Sequence, residues 1–212
     1  MVISRSDVMV SCGRKVDSCM NEVEKKQPHR DMFHNRREIE CLLTASQIRS
    51  RQHLIETMLS CIRQLFEYNI AQRRRILKLL EQVDREDLTR GLGVGWGSIH
   101  GILVHLMNTE IYWIDTVLRG VETERVLSEE CEDMDAISKH WSRVEENTRN
   151  LLSDVNEAYL QNVQSVRWDG TIISFTVAKA LLHVATHEIH HRGLVIGLLR
   201  QMGYDPPDVN ML

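Results

Sequence analysis

The sequence has little of what marks many-stranded, disulfide-stapled or membrane-spanning proteins. Three prolines and eleven glycines occur in 212 residues, and long stretches lack both, which favours helices over many short strands. The five cysteines are odd in number and form no C-x-x-C pair, which predicts free thiols in a reducing compartment, the cytoplasm. No apolar run approaches the ~18 residues of a membrane span, and the N-terminal segment lacks the apolar stretch of a signal peptide.

The chain also lacks the net positive charge that is typical of proteins that bind nucleic acid or an anionic membrane. The formal net charge is -4, which predicts no general attraction to either partner. The run Arg73-Arg74-Arg75 has two interpretations, an anion-binding patch or a solvated helix face. The second is favoured because three residues fall well short of the footprint of a basic domain.

What the sequence does have is helical periodicity. Apolar spacing predicts four long helices, over residues 54–83, from Ser98 to about Arg119, over 135–160 and from Ser174 to about Met202. Ser98 and Ser174 are expected to cap the N-termini of their helices, and Gly203 the C-terminus of the last. Four long helices with short or moderate connections predict an all-α four-helix bundle.

Two further features complete the predicted organisation. Asp169-Gly170 stands between short β-prone runs, the signature of a type I′ hairpin immediately before the last helix. Residues 1–53 are more polar and only loosely patterned, with a weak helical spacing over 31–52. We therefore predict an N-terminal extension, partly disordered or helical, over 1–53 and a bundle domain over 54–212.

Histidines concentrate near the end of the chain, with four of the ten between residues 183 and 191. His183, His187 and His191 are spaced by four, which places them on one stripe of a helix and lets two neighbours grip one metal ion. A third ligand must come from elsewhere, and His105 lies mid-length on the second predicted helix. Three neutral imidazoles that leave one coordination position of the metal open would resemble the ligand set of a catalytic zinc site. Spacing alone leaves open the pairs His183/His187 and His187/His191, as well as a stripe of surface histidines without metal.

A set of short motifs runs in one order from about Leu65 to the C-terminus, over about 148 residues. They are Leu65–Asn69, Gly95–Ile99, His105-Leu106 with Glu110 and Trp113, His183–Gly193, and Met202-Gly203 followed by Pro206-Pro207-Asp208. In this combination the segment resembles the DinB/YfiT family of small metal-binding four-helix bundles. Met58 lies about where members of that family begin.

The resemblance implies one divalent metal ion, held by one histidine of the second helix and two of the fourth, four apart and just before Arg-Gly. On this chain the implied ligands are His105, His187 and His191, with His183 a neighbour and His190 facing away. Zinc or nickel is expected, although three imidazoles also suit copper or iron. The chain departs from the family at Leu194, where Gln is usual, and at Thr186, where Asn is frequent.

The family also implies a class of chemistry, because its characterised members include S-transferases and isomerases that use small thiols. The expected function is a metal-dependent thiol S-transferase of detoxification or stress response, acting on an electrophilic small molecule and forming a homodimer. No well-placed carboxylate dyad is evident, and Glu110 and Glu188 are expected at the core edge or supporting the ligands. The alternatives are a metal-dependent hydrolase and a non-catalytic, dimeric metal-binding bundle.

Overall fold

The structure is a computed structural model that describes residues 34–93 and 95–211. These residues form helices α1 His34–Leu80, α2 Arg85–Thr89, α3 Ile99–Ile111, α4 Met134–Asp154, α5 Glu157–Leu160 and α6 Val177–Gln201, and strands β1 Val163–Trp168 and β2 Thr171–Thr176. The predicted all-α fold with a hairpin before the last helix is confirmed. The part of the predicted extension in residues 1–33 lies outside the described residues.

The four long helices are arranged as a ring in which each packs mainly on two others. Helix α1 contacts α4 and α6, and α3 contacts the same two helices from the opposite corner. The ring therefore places α3 directly beside α6, the two helices that carry the candidate metal ligands. No helix in the described part of the chain combines the length and the hydropathy needed to cross a membrane.

Helix α1 is longer than its apolar pattern predicts. The weak helical spacing over 31–52 and the strong pattern over 54–83 merge into one helix, His34–Leu80. No glycine or proline occurs between its ends, so nothing in the sequence interrupts the hydrogen-bond ladder. The helix ends three residues before the predicted boundary. The short helix α2 lies in the connection between the first and second predicted helices.

The second and third predicted helices differ from expectation at their C-terminal ends. Ser98 caps α3 as predicted, because its hydroxyl oxygen accepts a hydrogen bond from the amide of Gly101 at 3.0 Å. The helix then continues as a π-helical segment, Tyr112–Leu118. The predicted helix over 135–160 is broken, since Val155 adopts an extended conformation and Asn156 starts α5 as its N-cap.

The hairpin and the start of α6 correct one prediction. Asp169 and Gly170 have φ values of 47° and 80°, the left-handed conformations that a type I′ turn requires at both central residues. Strand β2 extends to Thr176, two residues past Ser174, so the prediction that Ser174 caps the last helix is wrong. Thr176 is the cap, and its hydroxyl oxygen accepts from the amide of Lys179 at 3.2 Å.

The C-terminus of α6 closes as the sequence predicts. Gly203 has a φ of 88° and its amide donates to the carbonyl of Arg200 at 3.1 Å, while the amide of Tyr204 donates to that of Leu199 at 3.0 Å. This pair of bonds is a Schellman motif. The tail then folds back along α1, where the hydroxyl of Tyr68 donates to the carbonyl of Val209.

The interior is divided into two apolar clusters separated by a polar layer. One cluster lies at the hairpin end, around Phe66, Trp113 and Leu181, and the other lies at the opposite end, around Leu80, Ile102 and Leu199. The buried polar side chains between them are Asn69, Gln72, Arg73, Asn108, Glu110, Glu145, Thr148, Glu188, His191 and Arg192. We call this set the polar layer, and it is the level of the candidate site.

Candidate metal centre

Three histidines meet in the groove between α3 and α6. His105 projects from α3, and His187 and His191 project from successive turns of α6. Each offers one ligand atom, and these atoms all lie within 4.8 Å of one another. The Nε2 atoms of His105 and His187 are 3.0 Å apart, and the ring centroids of His187 and His191 are 4.5 Å apart. This trihistidine group is the set implied by the family resemblance.

The other two histidines of α6 lie outside this group. The ring of His183 is 5.8 Å from that of His187 and packs edge-on against Trp113 at 5.2 Å. His190 directly precedes His191 in the sequence, and its side chain is exposed. Of the two histidine pairs that spacing left open, the structure brings His187/His191 to His105. That a metal ion binds there remains a prediction.

The electrostatic environment keeps the three imidazoles neutral. Partial burial, followed by the neighbouring histidines, lowers the pKa of His105 and that of His187 to about 4. Burial, followed by the adjacent His190, also lowers the pKa of His191. A neutral imidazole has a lone pair to give to a metal ion, whereas an imidazolium has none.

The donor set fits a divalent metal. Two nitrogens bound at ~2.0–2.1 Å in a tetrahedral set lie roughly 3.3 Å apart, close to the 3.0 Å between the Nε2 atoms of His105 and His187. The buried Nδ1 of His191 has no hydrogen-bond partner among the described residues, so this ring has an unsatisfied nitrogen. The trihistidine group can therefore hold a metal ion, and its chemistry suits zinc, nickel, copper or iron.

A loop from before α3 forms one wall of the site. The indole of Trp96 stacks on the ring of His105, with centroids 4.0 Å apart and planes at 19°, and Trp96 is 56% exposed. Gly95 has a φ of 55°, and a Cβ there would lie 2.9 Å from Cδ2 of Leu194. Leu194, the departure from the usual family Gln, is thus an apolar side chain packed under this loop.

Arg73 lies at the centre of the polar layer. For this residue both interpretations of the arginine run, an anion-binding patch and a solvated helix face, are therefore wrong. Arg73 is 5% exposed. Its Nε and Nη2 donate to Glu188 at 3.1 and 2.5 Å, and Nη2 also donates to Glu110 at 2.8 Å. Its Nη1 lies 3.5 Å from Glu145, and its guanidinium stacks on the ring of Trp141.

Arg73 therefore faces carboxylates from α3, α4 and α6 at once. Burial acts to lower its pKa, but the three carboxylates outweigh burial and raise the pKa above its usual value, so the side chain stays charged. Arg74 and Arg75 are exposed at their head groups, as a solvated face predicts.

Further hydrogen bonds complete the polar layer. Thr148 donates to Glu110 at 2.6 Å. Arg192 donates to Glu188 at 3.3 Å and to the side-chain oxygen of Asn69 at 3.1 Å. The amide of Asn69 donates to the backbone carbonyl of Ala185 at 2.8 Å.

These contacts fix the rotation of α6, because Glu188 and Arg192 immediately follow His187 and His191. Neither Glu110 nor Glu188 bonds a histidine ring in the described hydrogen bonds. They support the site indirectly, because their ion pairs hold α3 and α6 in position. Burial raises the pKa of Glu110, opposed by Arg73.

Comparison with known proteins agrees with this architecture. The family model described as "DinB family" matches residues 55–212, about three-quarters of the chain. The chain belongs to the DinB family. Protein DinB of Bacillus subtilis (strain 168) is 25% identical over 147 residues, which are 66% of this chain and 85% of that protein. The uncharacterized protein YizA of the same organism is 24% identical over 151 residues, 69% of this chain and 91% of YizA.

Solved structures of DinB-like proteins share the fold. One from Bacillus cereus ATCC 10987 superposes with a TM-score of 0.57 at 18% identity, covering 70% of this chain and 95% of that one. YjoA, from Bacillus subtilis, gives a TM-score of 0.52 at 17% identity, covering 69% and 98%. The TM-scores establish a common fold. Identities below 20% say nothing of the chemistry, for which only the site of this chain provides observations.

Proposed function

We propose that this DinB-family protein is a metal-dependent thiol S-transferase that joins a small thiol to an electrophilic small molecule, in detoxification or stress response. The observation that carries the proposal is the trihistidine group, three neutral imidazoles from two helices at the edge of the polar layer. A divalent metal bound there, zinc or nickel, would lower the pKa of a bound thiol and favour the nucleophilic thiolate.

The state of the nearby carboxylates supports thiol chemistry over hydrolysis. A free thiol has a pKa of about 8.5, so coordination alone takes it to the thiolate. Water starts from a pKa of about 15.7, and metal-dependent hydrolases commonly add a general base that directs the water and accepts its proton. Glu188 is held by Arg73 and Arg192, and Glu110 is held by Arg73 and Thr148. Both are buried and engaged, so neither is free to serve as a base. A thiol that loses its proton by coordination needs no such residue.

The chain's own residues would position the reactants. The exposed face of Trp96 borders the group on the side of His105, and it offers an apolar surface to an electrophile. His187 and His191 are held in rotation by the polar layer, so their spacing does not depend on the metal alone. This preformed arrangement reduces the reorganisation needed when reactants bind.

The non-catalytic alternative has one observation in its favour. Leu194 stands where the family usually has Gln, and its side chain packs under the Gly95–Gly97 loop. A leucine offers no hydrogen bond to a ligand or to a metal-bound group. A metal-binding bundle without turnover is therefore the second candidate.

Thiol transfer to monochlorobimane tests the proposal. In this reaction a sulfur–carbon bond forms while chloride and the thiol proton leave, so loss of free thiol and gain of fluorescence report the same event. Metal-loaded wild type is expected to accelerate both, and chelator-treated protein and His187→Ala are expected not to. Turnover of an ester without added thiol would favour the hydrolase. Bound metal without activity in either assay would favour the non-catalytic candidate.

We further propose that the protein is a homodimer. Exposed apolar side chains lie on the outer flank of α6, at Leu182 and Ile189, and on the hairpin, at Val163 and Ile172. Apolar side chains grouped on a helix flank are typical of a surface that meets a partner. Light scattering after size-exclusion chromatography would give twice the chain mass for a dimer.

A further inference from the structure

The histidine stripe of α6 has one member that lies outside the trihistidine group, His183. It lies one turn before His187 on the same face of the helix, as His191 lies one turn after it. The ring centroids of His183 and His187 are 5.8 Å apart, against 4.5 Å for His187 and His191. Two imidazoles that share a tetrahedral metal ion have centroids roughly 5 Å apart. With a small movement of a ring, His187 can thus form a two-histidine site with either neighbour.

The histidines around the site differ in their access to solvent. His183 is exposed, His187 is partly buried and His191 is buried. His105 is also partly buried, and one face of its ring is covered by the indole of Trp96 at 4.0 Å. Access to solvent therefore decreases along α6 from His183 to His191. The pair His183/His187 is the more accessible of the two pairs on this helix.

Packing holds the ring of His183 beside that of His187. The His183 ring meets the indole of Trp113 edge-on, with centroids 5.2 Å apart and planes at 70°. Trp113 is buried and packs in turn against Phe175 at 5.3 Å. A ring that rests on a fixed aromatic surface has fewer orientations to lose when it binds a ligand. His183 is thus a preoriented nitrogen donor at the solvent side of the candidate metal centre.

We propose that His183 and His187 form an entry site, which captures a divalent metal ion from solvent and passes it to the trihistidine group. This inference rests on the metal binding in the proposed function and does not depend on thiol transfer. His187 belongs to both sites. It keeps its bond to the ion while the other two members of the group replace His183, and coordinated water leaves. Capture by two histidines makes the remaining ligand exchange intramolecular, which raises the effective concentration of the ion at the group.

The kinetics of metal binding distinguish an entry ligand from a resident ligand. A contact that is made only during the transfer speeds association and dissociation by the same factor and leaves the dissociation constant unchanged. A resident ligand stabilises the bound state, so its loss mainly accelerates dissociation and weakens the affinity. Both rates and the affinity, measured together, therefore identify the role of His183.

The test measures zinc binding to the metal-free, full-length protein at about pH 7.5, where ordinary histidines are neutral. Stopped-flow mixing with a fluorescent zinc indicator follows association, and release into excess chelator follows dissociation. Equilibrium competition with the indicator gives the dissociation constant. The variants are His183→Ala and His183→Phe, of which the second keeps a ring against Trp113 but has no ligand nitrogen.

His190→Ala is the matched control. His190 is likewise exposed on α6, but Thr186 and Leu194 lie four residues away on either side, so it forms no histidine pair of this spacing. Circular dichroism would confirm that all three variants fold.

The expected result is slower exchange of zinc at unchanged affinity. Both His183 variants should slow association and dissociation about three- to tenfold, while the dissociation constant stays within about twofold of wild type. His190→Ala should change neither the rates nor the affinity.

Four other outcomes would overturn the inference, and they separate its failure from that of the proposed function. Wild-type rates in both His183 variants would exclude the entry role and leave the trihistidine group standing as the metal site. Slow rates in His183→Ala with wild-type rates in His183→Phe would assign the effect to packing on Trp113. Weaker affinity with unchanged association would make His183 a resident ligand. Failure of wild type to bind zinc would overturn the proposed function, and the inference with it.

Discussion

The Nε2 atoms of His105 and His187 lie 3.0 Å apart, although 82 residues separate them in the sequence. This contact joins α3 to α6 and turns a pair of histidines on one helix into a group of three. Two histidines four residues apart on one helix are a common surface feature. Three ring nitrogens that come together from two helices are a group that could hold a metal ion.

Metal content is the first expectation. Tag-free wild type, analysed by plasma mass spectrometry, should carry about one equivalent of a divalent metal, and His105→Ala should lose most of it, because three imidazoles provide the full protein donor set. His183→Ala is the matched control, since His183 lies on the same stripe but outside the group, and it should retain its metal. Equal metal in wild type and His105→Ala would confine the site to α6 and overturn the ligand assignment.

The pH dependence of the metal-free protein follows from the lowered pKa values of His105 and His187, both about 4. The ordinary histidine value is about 6.5, so between these two pH values the unfolded chain binds protons that the folded protein does not. The free energy of unfolding of the chelator-treated protein should therefore fall as the pH drops from about 6.5 toward about 4.

Urea denaturation at several pH values would measure this dependence. His105→Gln should reduce its slope, because it removes one of the two groups with a lowered pKa. A wild-type stability that does not change across this range would contradict the lowered values.

The three consecutive arginines allow a controlled test of the polar layer. Arg73→Met removes the cation shared by Glu110, Glu145 and Glu188, and should lower the free energy of unfolding by about 3–5 kcal/mol, the usual cost of stranding buried charge. Arg75→Met removes an exposed arginine two positions away and should cost within about 1 kcal/mol. Similar losses for the two variants in urea denaturation would mean that the interior does not depend on Arg73.

The glycines before α3 provide a test of the loop that carries Trp96. Gly93→Ala and Gly95→Ala both place a side chain at positive φ, which costs about 1–2 kcal/mol for the backbone. At Gly93 the new Cβ meets open space, but at Gly95 it lies 2.9 Å from Leu194. Gly95→Ala should therefore be the more destabilising variant in thermal unfolding. Adding Leu194→Ala should recover part of the difference, and no recovery would count against the contact.

The sequence predicted the bundle, the hairpin and two of three helix caps because these features are local. Apolar periodicity locates helices, and Asp169-Gly170 specifies its turn in two residues. The cap at Ser174 was wrong because Ser174 and Thr176 are equally able to cap, and the choice depends on how far β2 pairs with β1. The family boundary near residue 55 is close to the predicted domain start at 54, but the domain division itself stays a prediction.

The polar layer was missed for a different reason. Arg73 falls on the apolar stripe of α1, three residues after Ile70 and four before Leu77, and Glu110 interrupts the stripe of α3 in the same way, three residues after Met107. A charge on a core stripe is the signal that should have revealed them. The pattern within one helix does not identify the partner of a buried charge, because Arg73 and its carboxylates come from four helices. The pairing is visible only in the assembled bundle.

The arrangement around Arg73 also has a kinetic meaning. Docking of α3, α4 and α6 without α1 would bring Glu110, Glu145 and Glu188 together without the cation that they share, so a bundle that lacks α1 is an unfavourable intermediate. We expect the middle turns of α6 to exchange their amide hydrogens only when the whole domain opens, and its ends to exchange earlier. His187 and His191 belong to those middle turns, so the candidate ligands lie in the last part of the protein to come apart.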